Sequence, residues 1–225
     1  MNSIYDLSTL LLPMILAITA RAVVNGYVAR QAGDPTAAEA GRLSLNPLVH
    51  VDWIGTVLLP GVLFLAQIPP IGWAKPVPVD VTRFGNPRQD TLWLAASGPA
   101  ANLFLAIVAA LLLNVGAYLD GVVGQWIIDM LRMAVIINVV FLVFNLIPIP
   151  PLDGGNIVLC LLPEPLARSY ARLYPYGVYI VFGLILVPVL LGSLFGGEYN
   201  VVLRAIWSVV MFLYNGIVNL LVFVV

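Results

Sequence analysis

The chain has 225 residues, 61% of them hydrophobic and 9% charged, with a formal net charge of −1. Ordinary globular domains carry roughly 25% charged residues, so the composition excludes a soluble domain and predicts an all-α integral membrane protein, one membrane domain over 1–225. The near-zero net charge gives no case for a nucleic-acid partner, and the single cysteine, Cys160, excludes an internal disulfide and reads as a packed hydrophobe.

Taken in order, 7–31 is apolar, interrupted by Arg21, Asn25 and Arg30, and long enough to cross a bilayer. No positive leader or cleavage signal precedes it, so it reads as retained. Residues 32–52 are polar and turn-rich, hence interfacial. The apolar run 53–71 carries Pro60-Gly61 at its centre, and 72–80 reads as extended. A charged loop spans 81–90. Apolar runs follow at 91–117, 122–147, 175–193 and 201–223, with a loop at 148–174 and a turn at 194–200. The expected fold has about five transmembrane helices, a re-entrant or interfacial segment at 53–71, and a short extended strand region.

Basic residues decide the reading of 53–71, because short cytoplasmic loops are enriched in them. If 53–71 dips in and returns, Arg30, Arg42, Lys75, Arg83, Arg88, Arg168 and Arg172 share one side. If it spans, the same charges are split. The first count predicts a cell-membrane protein with its N-terminus outside and its C-terminus cytoplasmic.

The most informative stretch is 144–155, FNLIPIPPLDGG. Three prolines end an apolar helix and deliver one carboxylate, Asp153, beside two glycines. Irregular backbone cannot face lipid, so the break must be buried in protein or line a wet cavity. An ionisable residue there is a candidate functional site; the plainer alternative is an aspartate capping the next helix.

Four stretches, GDPTAAEAGRLSLNPLVHVDWIGT (33–56), GWAKPVPVD (72–80), SGPAAN (97–102) and NLIPIPPLDGG (145–155), resemble the site-2 protease family of intramembrane zinc metalloproteases, peptidase family M50, in order and spacing. In that family a transmembrane HExxH supplies two zinc ligands and a general base, and the aspartate of an LDG motif supplies the third ligand. The resemblance implies that Asp153 matches this aspartate. Counting back from Gly33, the HExxH slot reads Arg21-Ala22-Val23-Val24-Asn25. Two histidines at i and i+4 share one helix face and can hold one metal. Arg21 has no lone pair for a metal, Ala22 cannot accept a proton, and Asn25 is at best a weak ligand. The sole histidine, His50, lies in the NPLVHVD stretch and reads as structural.

No catalytic residue is therefore intact, no cofactor is expected for the chain as written, and active family members would carry zinc. The chain reads as a pseudoprotease or a disabled form of an enzyme that cleaves transmembrane substrates. The alternative is a non-catalytic binding protein that holds a transmembrane or extended segment of a partner, besides membrane lipid. A solute transporter lacks the expected paired broken helices.

The segment 72–80 supports substrate holding. Pro76 and Pro78 spoil one edge of an extended strand, leaving Lys75, Val77 and Val79 to accept an added peptide; a proline-stiffened connector is the alternative. Asn138 and Asn145 precede the LDG turn and, with Gly154, are expected to support Asp153, while Asn102 reads as a helix cross-link. Without a metal, Asp153 needs a counter-charge, so Arg21 is expected to pair with it and Asn25 to add a hydrogen bond. Asp129 and Arg132 read as a structural i,i+3 pair.

Overall fold

A computed structural model describes residues 3–50, 52–53, 58, 75–195 and 201–223. The described part is helical: α1 (Ser3–Gln31), the short α2 (Thr36–Glu39), α3 (Pro87–Gly116), α4 (Gly121–Asn145), α5 (Asp153–Leu161), α6 (Glu164–Ala171), α7 (Tyr174–Phe195) and α8 (Val201–Leu221). Four of these, α1, α3, α4 and α8, are long and apolar enough to cross a membrane. The pair Glu164–Ala171 and Tyr174–Pro188, bent by 63°, makes a fifth if counted as one span. This matches the expected membrane protein of about five spans.

No strand occurs among the described residues. Of the stretch expected to be extended, 72–80, the described part 75–80 carries no regular secondary structure, and no strand among the described residues pairs with it. The expected re-entrant segment 53–71 lies, apart from Trp53 and Leu58, outside the described residues. Two short helices, α5 and α6, occupy the expected loop 148–174.

Helix starts follow local chemistry. Pro87 opens α3, where its missing N–H costs nothing. The Asn86 side chain accepts from the Gln89 N–H, and the Asp90 carboxylate accepts from the Asn86 N–H at 2.7 Å. Two of the orphan donors at the helix start are thereby satisfied, and α3 begins four residues before its apolar run.

The core is built from small and β-branched residues. Ala106, Ala109 and Ala110 of α3 meet Val135 and Val139 of α4 and Val210 of α8. Small residues let helix backbones approach closely, which replaces the hydrophobic drive that lipid does not supply. Asn102 and Asn138, both buried, cross-link α3 to α4 through a 3.0 Å bond from Asn102 Nδ2 to Asn138 Oδ1. Asn102 is thus the cross-link expected of it.

At one end of the bundle, α1 starts beside the start of α4. The Tyr5 hydroxyl donates to Asp129 at 2.7 Å, the Trp126 indole donates to Ser8 at 2.9 Å, and Arg132 lies 3.8 Å from Asp129. The end of α8 is at this same end. Asn114, near the end of α3, donates to the Leu221 carbonyl at 2.8 Å and accepts from the Phe223 N–H at 2.7 Å. The start of α8 lies at the opposite end, where Val202 and Ile206 share a small cavity with Phe144 and Ile147. α8 therefore runs antiparallel to α4, and the two ends of the described chain lie at one end of the bundle.

At the other end, residues on the two sides of 51–74 are tied together. Lys75 N–H donates to the His50 carbonyl at 3.0 Å, Gly85 N–H to Ala32 at 3.1 Å, and Asp80 N–H to the Asp34 carboxylate at 2.7 Å. Gly33 makes the turn after α1 with φ +105°, a conformation that disfavours a side chain. Asp34 is fully buried and also accepts from the Thr36 N–H and hydroxyl. Burial raises its carboxyl pKa, but the bonds from Thr36 and Asp80 outweigh this and hold it below the ordinary value.

A depressed folded pKa contributes stability that is present above the unfolded value, about 3.9, and lost as pH falls through the folded one. Asp34→Asn should cost about 2 kcal/mol at neutral pH, since the amide cannot accept all three bonds. Denaturant unfolding against pH checks this: the difference between the two proteins should shrink as pH drops below about 4.

Candidate functional site

The proline-rich turn after α4 places Asp153. Ile149 N–H donates to Ile147 and Leu152 N–H to Ile149, closing two tight turns. α5 then folds back against them so closely that a Cβ on Gly154 would lie 2.2 Å from the Leu146 carbonyl oxygen. On Gly155 it would lie 2.5 Å from the Pro150 nitrogen. Only glycine fits at both positions, so the glycines fix where α5 starts. Asp153 stands in its first turn, where the helix dipole favours a carboxylate. Arg88 of α3 fastens the far end of α5 by donating through Nε to the Cys160 carbonyl at 2.7 Å and through Nη2 to that of Leu162.

Across from Asp153 stands Arg21 of α1. Its Nη2 donates to Asp153 Oδ2 at 2.7 Å, and the two side chains are only 22% and 14% exposed. The expected ion pair is present. Room for it comes from α3: a Cβ on Gly98 would lie 3.0 Å from Asp153 Oδ2 and 3.1 Å from Arg21 Nε. Asn25 does not reach Asp153. Its side-chain oxygen faces the Ser97 hydroxyl at 2.8 Å, which ties α1 to α3.

The pair borders a cavity of about 600 Å³ between α1, α3, the end of α4, the start of α5 and the segment 75–79. Arg21, Ala22, Asn25, Lys75, Val77, Val79, Asn145 and Asp153 all line it. Asn138 does not. Its amide is taken by the Ala134 carbonyl at 2.9 Å and its oxygen by Asn102. Asn145 donates to the Phe141 carbonyl at 2.8 Å, its own helix's backbone, rather than to Asp153. Gly98, Ser97 and Arg88 were missed as site residues. Nothing in the sequence ties Ser97 and Gly98 to the Arg21–Asp153 pair, or Arg88 to the end of α5.

The family model of peptidase family M50 matches residues 114–188, which include Asn138, Asn145 and Asp153. YwhC of Bacillus subtilis, named as a zinc metalloprotease, is 34% identical over 188 residues, 82% of each chain. Rip2 of Mycolicibacterium smegmatis, named likewise, is 32% identical over 167 residues, 74% of this chain and 62% of that one. No solved structure matches. The chain belongs to peptidase family M50. It is a membrane protein of the site-2 protease family, whose members are intramembrane zinc metalloproteases.

The M50 family implies zinc, and the residues at this site do not fit it. Three protein ligands with lone pairs are the usual minimum for a catalytic zinc. Beside Asp153 stands a guanidinium, which has none. No three His, Cys, Asp or Glu side chains converge among the described residues, and the 225 residues contain one histidine, too few for an HExxH.

Proposed function

We propose that this M50 protein is a non-proteolytic member in which Arg21-Ala22-Val23-Val24-Asn25 takes the place of HExxH and Arg21 takes the place of the metal. The observation that carries the reading is the 2.7 Å bond from Arg21 to Asp153. A permanent cation neutralises the buried carboxylate, as a metal would, but it neither activates water nor polarises a carbonyl. The retained activity is binding. The cavity holds an extended or unwound transmembrane segment of a partner, laid against Val77 and Val79, whose N–H groups have no acceptor among the described residues. The Lys75 N–H, expected on that edge, is taken by His50.

A photo-crosslinker in place of Val77, in the full chain in its native membrane, tests this. The trapped partner should have the mass of its uncut form. Recovery of cleaved partner fragments would overturn the reading.

The same reading places the protein in the cell membrane with both ends of the described chain outside. With α8 running outward, Arg204 joins Arg30, Arg42, Lys75, Arg83, Arg88, Arg168 and Arg172 at the cytoplasmic end, as the positive-inside rule favours. In a Cys160→Ser background, Glu39→Cys and Arg168→Cys should react with an impermeant thiol reagent only from inside. Tyr118→Cys and Phe223→Cys, both exposed, should react only from outside. Labelling of Phe223→Cys from the inner face would contradict the arrangement.

A further inference from the structure

The charges that line the cavity are unequal. Arg21 and Lys75 are cationic and Asp153 is the single acid, so the lining carries a formal charge of +1. A guanidinium offers five N–H donors in a planar fork, and Asp153 takes one of them, at Nη2. Among the described residues no other acceptor bonds Arg21, and Lys75 is exposed and forms no ion pair. The nearest side-chain amide oxygen on α1, that of Asn25, is engaged by Ser97. The site therefore holds unused cationic donors in a concave space, Arg21 being largely shielded from solvent, where charge-assisted bonds are strongest.

We propose that the partner segment held in this cavity carries a carboxylate side chain, seated between Arg21 and Lys75. With it bound, two cations face two carboxylates and the formal charge of the site closes to zero. The segment is peptide rather than lipid because one wall of the cavity is the run 75–79, where the N–H groups of Val77 and Val79 lie open to another backbone. The carboxylate sets which segment is accepted, since a neutral one leaves the desolvated donors of Arg21 unpaired. This inference rests on the reading of the cavity as a segment-holding site, and it specifies the chemistry of the segment.

The test uses the full chain in phosphatidylcholine nanodiscs with two blocked hexapeptides of alternating valine and threonine. One carries glutamate at its fourth position and the other glutamine. The glutamate peptide should bind about tenfold tighter or better. The preference should fall to within about threefold in Arg21→Met/Asp153→Leu, which removes both buried charges together, and should weaken in Lys75→Ala, a surface change. Equal binding of the two peptides would overturn the carboxylate and leave the groove standing. Binding of neither would overturn the groove itself. A preference that survives in the double variant would show that Arg21 is not its source. Displacement of the glutamate peptide by phosphatidylglycerol in the disc would assign the cations to a lipid phosphate instead.

Discussion

Arg21→Met should destabilise the protein by about 3–5 kcal/mol, and Asp153→Leu by a similar amount, because each leaves the other charge buried without a partner. The double substitution should cost less than either single one. Both side chains are largely shielded, so solvent cannot take over the lost role. Gly98 adds to the constraint, since the pair fits against its bare backbone and has little room to turn toward water. Unfolding in detergent of the wild type, the two single variants and the double variant gives the coupling energy. Single effects that add within about 0.5 kcal/mol would show that the two side chains do not interact.

Arg21→His, Ala22→Glu and Asn25→His together should convert the site to a metal centre. Positions 21 and 25 share one face of α1, and both line the cavity with Ala22 and Asp153. Loss of the guanidinium frees the Asp153 carboxylate as the third ligand. The Ser97 hydroxyl, which now faces Asn25 at 2.8 Å, stands where a histidine ligand needs its outer partner. The triple variant should take up about one zinc per chain and unfold at a higher temperature with zinc than with a chelator. A folded triple variant that takes up no zinc would contradict the placement of the three residues. Proteolysis is a stricter demand, because a misplacement of about 1 Å can cost 10²-fold in rate.

Much of the site was legible because its parts are chemically expensive. An arginine in an apolar helix and an aspartate at a proline break each demand a partner, and the pair they form follows from that need. α1, α3, α4 and α8 were legible from length and hydropathy. α5 was not, because it opens on Asp153-Gly154-Gly155, and two glycines read as a turn. Here they are the close approach that lets the helix fold back on Leu146 and Pro150. An extended strand was expected over 72–80 from its prolines and valines, but a strand needs a neighbour, and none among the described residues pairs with 75–80. The same limit applies to Gly98 and Arg88, whose roles depend on helices far away in the chain. The same holds for Asn114, which ties the end of α8 to α3 by bonding both Leu221 and Phe223.

The central claim is that a guanidinium stands where M50 proteases hold their metal. The direct measurement is the zinc content of the unmodified full chain, purified without chelator from cells grown with added zinc. Less than about 0.1 zinc per chain is the predicted result, and about one zinc per chain, lost on Asp153→Leu, would contradict it.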